Sequence, residues 1–281
     1  MIDFVLDIIK KYTFPIPPAH PKAEAQYTIS DKCLGTGSYA KVFAGTRTSR
    51  PHTRLAMKIM TWDARDVEDD PEVGDVELVD INHGERTVTR VPAGVFAELE
   101  VVRKMQDRTC PNVAQVLDIR FPDASSVMLV MNRAACSLRY LVDHEVDVLK
   151  CNLHALCQDL LMAVQQLHCH GILHRDIKPA NVLVFTEGAR PVLQLTDFNS
   201  SRIKPEGENL SAMAVLMDAS SKKFKTQDHV TTIWYRAPET MLGTTHDGNW
   251  TDMWAVGCVL AEIVRGTPLF VEDTEWGMLM E

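Results

Sequence analysis

A glycine-rich segment near the start of the chain is the first part of the sequence that could bind an anion. Residues 34–42 read Leu-Gly-Thr-Gly-Ser-Tyr-Ala-Lys-Val and predict two strands joined by a turn. Small residues in such a turn let backbone N–H groups approach phosphate oxygens closely. A plain hairpin turn explains Gly-x-Gly equally well. No helix pattern follows and no Gly-Lys-Ser/Thr is present, which disfavours a dinucleotide-binding Rossmann unit and a Walker loop.

A single lysine lies inside the apolar segment that comes next. Residues 55–60 read Leu-Ala-Met-Lys-Ile-Met and predict a buried strand that contains Lys58. A buried lysine is costly unless it is paired with an opposite charge. The expected partner is a carboxylate on the helix predicted after this strand, where Glu98 and Glu100 stand among apolar residues.

The most informative residues lie in the middle of the chain. Residues 174–181 read His-Arg-Asp-Ile-Lys-Pro-Ala-Asn and precede an apolar strand pattern at 182–185, and Asp197-Phe198 follows a second strand pattern. With the glycine-rich segment and the lysine strand before them, these motifs resemble a protein kinase from about Tyr27 to the C-terminus. The resemblance depends on the order of the motifs, because an Asp or Asn in a loop is usually a turn or cap residue.

The resemblance implies phosphoryl transfer and assigns a role to each charged residue. That reaction needs in-line positioning and positive charge around an anionic group, and little covalent work from the protein. Asp176 would accept or orient the proton of the substrate hydroxyl, and Lys178 would neutralise the γ-phosphate. Asn181 and Asp197 would hold Mg²⁺, which prefers oxygen ligands.

The same resemblance implies that ATP lies between a β-rich lobe and a helical lobe. Lys58, held by Glu98, would bind the α- and β-phosphates, and the adenine would hydrogen-bond to backbone near Asn132 to Ala134. The other residues implied in ATP binding are small or apolar: Leu34, Gly35, Gly37, Val42, Ala56, Met131 and Leu183.

Two features resemble the group that contains the cyclin-dependent and MAP kinases. Lys178, two residues after Asp176, is typical of serine/threonine rather than tyrosine kinases. Residues 232–239 read Thr-Ile-Trp-Tyr-Arg-Ala-Pro-Glu, in which Thr232 would hydrogen-bond near Asp176. Arg236 would support the backbone that receives the residue after the phosphorylated Ser or Thr. Because this pocket often favours proline in that group, proline direction is a hypothesis.

The cyclin-dependent branch of the group receives partial support. Residues 92–98 occupy the place of the cyclin-binding helix motif, but Ala97 replaces its arginine. That arginine helps to bind a phosphorylated threonine of the activation loop. The other two phosphate-binding arginines of the group correspond to Arg175 and Arg202, and Thr226 is the candidate phosphosite.

Three departures from the kinase pattern bear on activity. Ala40 replaces the third glycine of the glycine-rich segment, a change that other kinases tolerate. Asn199 follows Asp197-Phe198 where kinases usually have glycine, which predicts a stiffer loop that still binds magnesium. The chain ends soon after the apolar helix predicted at 254–265, so later helices of the large lobe are expected to be missing. Glu239 is then expected to be a buried carboxylate without its usual arginine, with apolar surface uncovered.

Composition and charge are those of an ordinary globular chain. The 281 residues are 46% hydrophobic and 24% charged, which excludes a disordered or collagen-like protein. The net charge is −9, and nine acidic residues against Arg65 fall between Asp63 and Asp80. This stretch predicts a solvated loop and argues against nucleic-acid binding through that face.

The terminal segment and the cysteines indicate the compartment. Residues 1–12 predict a short amphipathic helix, either packed on the protein or docked on a partner, and the proline-rich residues 14–21 predict an extended linker. No uncharged run reaches the length of a signal peptide or membrane span. Seven scattered cysteines without a CxxC pair indicate a reducing, intracellular compartment, cytoplasmic or nuclear, with no membrane partner.

Together these features predict an α+β, two-lobed, protein-kinase-like fold. Residues 1–26 form an extension, 27–131 a β-rich N-lobe with an acidic insert at 63–80, and 132–281 a helical, incomplete C-lobe. The expected function is that of an ATP-dependent serine/threonine protein kinase, with ATP and Mg²⁺ as cofactors. The expected partners are a protein substrate and an activating or covering protein. The alternative is a catalytically poor kinase-like binding module, favoured by Asn199, the acidic insert and the shortened lobe.

Overall fold

A computed structural model describes most of the chain after its first 25 residues. The described residues are 26–37, 40–62, 76–82, 85–106, 108–123, 125–188, 190–204, 233–242 and 248–281, of which 76–82 and 85–90 are described by their backbone alone. The predicted terminal helix and linker, most of the acidic insert, Thr226 and Thr232 lie outside these ranges.

The described residues divide into two compact units. The first unit runs to Phe96 and resumes over Val116–Arg133, and the second comprises Ala97–Gln115 and Ala134–Glu281. One helix, α1 (Ala93–Met105), therefore begins in the first unit and ends in the second.

The first unit contains a five-stranded antiparallel sheet. Its strands are β1 (Tyr27–Thr36), β2 (Ala40–Arg47), β3 (Arg50–Thr61), β6 (Val116–Asp123) and β7 (Ser126–Asn132), in the order β1-β2-β3-β7-β6. The glycine-rich segment ends β1 and turns into β2, where the Gly37 N–H donates to the Ala40 carbonyl over 2.7 Å. The two strands, the turn and the lysine strand predicted from sequence are confirmed.

Alternation along β3 separates an apolar core from the lysine. Leu55 and Met57 are almost fully buried and pack with Tyr27, Met128 and Val130. Because successive side chains of a strand point to opposite faces, Lys58 lies on the face opposite Met57. The strand therefore directs Leu55 and Met57 into the apolar core of the sheet and Lys58 to its other face.

Part of the acidic insert forms a hairpin, so the prediction of a solvated loop through to Asp80 is wrong. Strand β4 (Val76–Asn82) pairs with β5 (Glu85–Val91) in an antiparallel register that runs from Val76 opposite Val91 to Asn82 opposite Glu85. The β-branched and apolar residues interleaved with the acids give this stretch the composition of a strand, which the charge count obscured.

The second unit is mainly helical. Its helices after α1 are α2 (Leu138–His144), α3 (Val146–Cys151), α4 (Leu153–Cys169), α5 (Pro238–Met241), α6 (Asn249–Arg265) and α7 (Glu275–Met280). Two short sheets accompany them: β8 (Cys136–Ser137) with β10 (Val182–Phe185) and β11 (Val192–Leu195), and β9 (Ile172–Leu173) with β12 (Arg202–Ile203).

The apolar faces of α4 and α6 form the core of this unit. Leu156, Leu160 and Leu167 on α4 and Val259 and Ile263 on α6 are completely buried. Their spacing of four and seven residues places them along one side of each helix. Helix α6 ends at Gly266, whose φ of 79° a residue with a side chain adopts only with strain.

The last described helix, α7, is capped by a side chain and follows a stacked aromatic pair. Thr274 caps α7 by accepting a hydrogen bond from the Gly277 N–H, and the rings of Trp254 and Phe270 stack at 5.9 Å. Glu239 is only partly buried, so the expectation of a buried carboxylate is wrong. It makes at least one polar or electrostatic interaction, and the loss of its usual arginine stays a prediction.

Two further findings concern the chain as a whole. All seven cysteines are free thiols. Among the described residues, no helix has the length and apolar character needed to cross a membrane.

Two glycine substitutions are expected to change stability in opposite directions. A Cβ at Gly45 would lie 2.8 Å from the Thr28 carbonyl oxygen and 2.8 Å from Met57 Cε, so Gly45→Ala should destabilise the protein by about 1–3 kcal/mol. Gly257 lies within α6 with open space around its Cα, so Gly257→Ala should stabilise it by roughly 0.5–1 kcal/mol. Thermal unfolding midpoints of the two variants measure this, and a higher midpoint for Gly45→Ala would contradict the packing.

Candidate active site

Three of the predicted catalytic residues meet in the loop after β9. The Lys178 ammonium lies 2.9 Å from Asp176 Oδ2. The Asn181 amide nitrogen donates to the same carboxylate oxygen over 2.9 Å and to the Asp176 carbonyl over 2.9 Å. The loop therefore holds one carboxylate between a cation and an amide donor.

The hairpin formed by β10 and β11 brings the second aspartate to this loop. Val182 pairs with Leu195, so Asn181 directly before β10 lies beside Thr196 directly after β11. The Thr196 N–H donates to the Asn181 carbonyl over 3.0 Å. Asp197 is the next residue, which explains how a separation of sixteen residues in sequence becomes proximity in the fold.

Asn181 presents its amide in one orientation. Two hydrogen bonds of the side chain use its NH₂ group as donor to Asp176, so its carbonyl oxygen points the other way. Asn181 is 6% exposed. Together with Asp197 it offers amide and carboxylate oxygens, the donor set that hard divalent cations prefer.

A buried carboxylate on α6 fixes the backbone of the catalytic loop. Asp252 is 1% exposed and accepts from the N–H groups of His174 over 2.9 Å and Arg175 over 2.8 Å. It also accepts from His168 Nε2 over 2.7 Å, so that ring nitrogen carries a proton. Burial works against ionisation, but these hydrogen bonds outweigh it and hold the pKa of Asp252 below its ordinary value.

His174 links the two halves of the site. Its Nδ1 accepts from the Asp176 N–H at 3.3 Å, so the neutral ring carries its proton on Nε2 and donates it to the Thr196 carbonyl at 3.0 Å. The ring is fully buried and meets Phe198 edge-on at 5.3 Å. Ser201 donates to the His174 carbonyl over 3.3 Å. The loop and the segment after β11 are thereby held to each other.

Two residues of the site adopt a left-handed backbone. Arg175 has φ 69° and Asp197 has φ 68°, and they are the two non-glycine residues with positive φ in the described part of the chain. Such conformations cost free energy and persist where surrounding contacts impose them, commonly at functional sites. Asn199 is not among them and instead accepts a hydrogen bond from the Ser200 hydroxyl. Asn199 therefore does not adopt the conformation that favours glycine, and the stiffer, magnesium-binding loop stays a prediction.

A second buried carboxylate on α6 holds the segment that contains Tyr235. Glu262 is fully buried and accepts from the Tyr235 hydroxyl over 2.7 Å, and it pairs with Arg139 of α2 at 2.5 Å. Burial and this hydrogen bond raise the pKa of Tyr235 far above its ordinary range. Burial, with the charge of Glu262 nearby, raises the pKa of Cys258 to about 11.

The two arginines implied to act beside the site make identified contacts. Arg202 lies in β12 opposite Leu173, two residues before Arg175. Arg236 forms an ion pair with Glu275 at the start of α7. Their roles in binding a phosphate or supporting a substrate stay predictions.

The residues predicted to bind ATP lie on neighbouring strands of the first unit. Val42 is the register partner of Lys58, and Ala56 is the partner of Met131, with Asn132 one residue further along β7. Lys58 is 7% exposed and Glu98, on α1, is 3% exposed. Each of these two makes at least one polar or electrostatic interaction, which fits the sequence argument that a buried charge needs a partner. Their mutual pairing stays a prediction.

The remaining predicted ATP-binding residues belong to loops and strand ends. Leu34 and Gly35 end β1, and Gly37 lies in the turn that follows. In the second unit, Leu183 pairs with Ser137, just beyond Ala134 in the chain.

Sequence reasoning missed the residues that support the loop from a distance. His168 and Glu262 contact partners 84 and 27 residues away, and neither belongs to a motif with a spacing of its own. The available signal was a histidine or a carboxylate inside an apolar helix pattern, which indicates a buried polar group that needs a partner.

Comparison with known proteins identifies the family. Residues 28–280 match the model of the protein kinase domain, and the chain belongs to this family. It is 30% identical over 198 residues to Cell division control protein 2 homolog 3 of Trypanosoma brucei brucei, across 70% of this chain and 57% of that protein. It is 30% identical over 182 residues to Cyclin-dependent kinase 20 of Pongo abelii, across 64% of this chain and 46% of that protein. The chain thus spans about half the length of these curated relatives.

Solved structures agree on the fold. The CAK complex from Chaetomium thermophilum bound to ATP-gamma-S matches with a TM-score of 0.64 and 23% identity, across 94% of this chain and 71% of that chain. The yeast RNA Pol II CTD kinase CTDK-1 complex matches with a TM-score of 0.60 and 23% identity, across 90% and 70%. The predicted kinase-like fold and the resemblance to the cyclin-dependent group are confirmed.

Asp252 is expected to make stability depend on pH. Because its pKa is lowered in the folded state, its ionisation stabilises the protein above about pH 4, and this contribution is lost as the pH falls through the lowered pKa. Asp252→Asn should therefore cost about 2–5 kcal/mol at pH 7, with a smaller difference from wild type near pH 3. Urea unfolding at pH values between 7 and 3 measures the difference in unfolding free energy between the variant and wild type at each pH.

The matched control for this experiment is Asp143→Asn. Asp143 is paired with Arg139 but its side chain is 47% exposed, so the cost should stay below about 1 kcal/mol. Equal losses for the two variants, or a loss from Asp252→Asn that does not change with pH, would contradict the role given to the buried carboxylate.

Proposed function

We propose that the chain is an ATP-dependent serine/threonine protein kinase that transfers the γ-phosphate of ATP to a protein hydroxyl. The observation that carries this proposal is that Lys178 and Asn181 both contact the Asp176 carboxylate, and that the hairpin places Asp197 beside this loop. Membership of the protein kinase domain family and relatives named as cyclin-dependent kinases support it.

Asp176 is the residue proposed to act on the substrate hydroxyl. Its carboxylate lies between the Lys178 ammonium and the Asn181 amide, where it could accept the hydroxyl proton or orient the hydroxyl for attack. Lys178 provides positive charge within 2.9 Å of that carboxylate, where negative charge of the transferring phosphoryl group would be stabilised.

Asn181 and Asp197 fit a magnesium ion. Their available atoms are oxygens, and the Asn181 carbonyl oxygen is turned away from Asp176 because the NH₂ group is used there. Bound Mg²⁺ would neutralise phosphate charge. The chain's own contribution is to hold these two oxygens in place through the Thr196 and Asn181 backbone hydrogen bond and through His174.

The first unit is proposed to hold the nucleotide. Lys58, supported by Glu98, would bind the α- and β-phosphates, and the glycine-rich turn would present backbone N–H groups to phosphate oxygens. The apolar residues proposed to enclose the adenine come from adjacent strands, Val42 on β2, Ala56 on β3 and Met131 on β7, with Leu183 from the second unit.

The substrate and partner are proposed at the level of class. Lys178 two residues after Asp176 supports serine or threonine as the acceptor, and the cyclin-dependent names of the relatives support proline direction. A protein activator is proposed because the two solved neighbours are, by their titles, complexes. Arg175 and Arg202 are the candidates to bind an activating phosphate.

The alternative of a kinase-like binding module retains one observation in its favour. The position after Asp197-Phe198 is Asn199 rather than glycine. Since Asn199 does not adopt the left-handed backbone that would require glycine, this observation favours the alternative less than the sequence suggests.

Replacing the central carboxylate should abolish phosphate transfer. Asp176→Asn removes the negative charge that accepts the proton but keeps the side-chain shape, so transfer from radiolabelled ATP to a basic protein substrate should fall by about 10²–10⁴-fold. Asp143→Asn, which removes an exposed carboxylate on α2, should leave the rate within about twofold. Equal rates for Asp176→Asn and wild type would contradict the assigned role.

Nucleotide binding should be visible without turnover. ATP with magnesium at about 100 times its dissociation constant should stabilise the native state by roughly 2.7 kcal/mol and raise the thermal midpoint. Lys58→Met should remove most of this rise, and Asp176→Asn should keep it. If ATP with magnesium raises the thermal midpoint of the wild-type chain but no phosphate is transferred, the binding module is favoured. If ATP with magnesium does not raise the midpoint, nucleotide binding by the kinase and by the binding module is contradicted.

A further inference from the structure

The five-stranded sheet of the first unit is basic, although the unit as a whole contains 16 acidic residues against 14 lysines and arginines. The residues of the unit with described side chains include eight lysines and arginines against three aspartates, and the chain has a net charge of −9. The bases are Lys32, Lys41, Arg47, Arg50, Arg54, Lys58, Arg120 and Arg133, and the acids are Asp31, Asp118 and Asp123. The basic charge of this unit is therefore concentrated on the sheet, and most of the acidic residues of the unit lie in other segments.

The β2–β3 hairpin concentrates this charge. No acidic residue occurs from Lys32 to Trp62, and Thr48-Ser49 forms the loop of the hairpin. Arg47 and Arg50 are register partners across that loop. Like charges directly opposite each other destabilise a sheet, so the pair has a cost that folding alone does not explain.

Among the arginines of the sheet, Arg120 is neutralised by a carboxylate and Arg47 contacts a tyrosine, whereas those of β3 have neither kind of contact with a described residue. Arg120 pairs with Asp118 at 2.7 Å, and Asp118 also accepts from the Tyr27 hydroxyl. Arg47 donates to that hydroxyl over 3.2 Å and lies over the Tyr27 ring. Arg50 and Arg54 are exposed, and in the described part of the chain neither forms a salt bridge with a carboxylate.

The β3 arginines continue onto the neighbouring strand. The Arg54 carbonyl accepts from the Arg133 N–H over 3.2 Å, which places Arg133 beside Arg54 at the end of β7. His52, between Arg50 and Arg54, is exposed as well. We call Arg47, Arg50, Arg54 and Arg133 the hairpin arginines.

Protection of a sheet edge does not account for the hairpin arginines. Charged side chains often guard exposed edge strands against pairing with other chains. The edge strands of this sheet are β1 and β6, and β2 and β3 are interior strands with partners on both sides. Arg47, Arg50 and Arg54 therefore lie on interior strands, where there is no exposed backbone edge to protect.

We propose that the hairpin arginines bind an acidic peptide segment of a protein partner. Arg50 and Arg54 are four residues apart in an extended strand, which is about 13 Å. That span exceeds a single phosphate group and fits several carboxylates of an extended Asp/Glu-rich peptide. Guanidinium groups suit this ligand because they bind carboxylates through two parallel hydrogen bonds.

The charge of the rest of the chain favours a short acidic peptide over a nucleic acid. Outside the described side chains of the first unit, the chain has 35 acidic residues against 21 lysines and arginines. This net negative charge repels a long polyanion more strongly than a short peptide, which carries few charges.

Fluorescence anisotropy with the full chain tests the proposal. The probe is a labelled ten-residue Asp/Glu-rich peptide, and its reference is the same peptide with Asn and Gln in place of the acids. The acidic peptide should bind at least tenfold more tightly at low salt and weaken as salt rises. Arg50→Gln with Arg54→Gln should reduce its affinity at least tenfold, and Arg50→Lys with Arg54→Lys should restore part of the loss.

A variant with the same change in net charge separates the site from general electrostatics. Arg108 and Arg265 are exposed arginines of the second unit, and Arg108→Gln with Arg265→Gln should leave the affinity within about twofold. The thermal midpoint of the β3 double variant should match wild type. The proposal fails if both double variants weaken binding equally or if the acidic and amide peptides bind alike. It also fails if a single-stranded RNA of matched charge binds more tightly than the peptide.

Discussion

The hydrogen bonds to the buried carboxylate of Asp252 hold the catalytic loop in its shape, and the rest of the site depends on them. Two consecutive backbone N–H groups, those of His174 and Arg175, point at one side chain from α6. Consecutive amides can converge in this way because Arg175 adopts a left-handed backbone, a conformation that costs free energy unless its surroundings impose it. Loss of the carboxylate would leave both N–H groups buried without an acceptor, at a cost larger than the net value of either hydrogen bond.

Three buried carboxylates of the second unit each hold a connecting segment through hydrogen bonds. Asp159 on α4 receives Arg190 through two hydrogen bonds and the Leu193 N–H, which fixes the β10–β11 hairpin to the helix. Asp252 fixes the catalytic loop, and Glu262 fixes Tyr235 and Arg139. Each carboxylate is at most 3% exposed, so each would be destabilising if its donors were removed. Apolar packing of α4 and α6 forms the core, and these buried carboxylates set where the connecting segments lie on it.

The order of the motifs in the sequence was sufficient to predict the fold class and the residues proposed to act on phosphate. Asp176, Lys178 and Asn181 lie within six residues, so local chain geometry brings them together whatever the distant structure does. The strand containing Lys58 and the apolar helix α6 were predictable because their periodicities are long and regular. The hairpin at β4 and β5 was not, since its acidic composition resembles that of a loop and only pairing with another segment makes it a strand.

By itself the sequence determined which side chains could carry out chemistry and the order in which they occur. Tertiary structure alone decided how they are supported. His168 and Asp252 are 84 residues apart, and their contact depends on how α4 packs against α6, which no local pattern encodes. The conformation of Asn199 was likewise decided by the contacts around it, because backbone angles outside regular elements follow from the hydrogen bonds that neighbouring segments offer. Local spacing reports what a few adjacent residues can do, whereas burial and long-range hydrogen bonds depend on the whole packed chain.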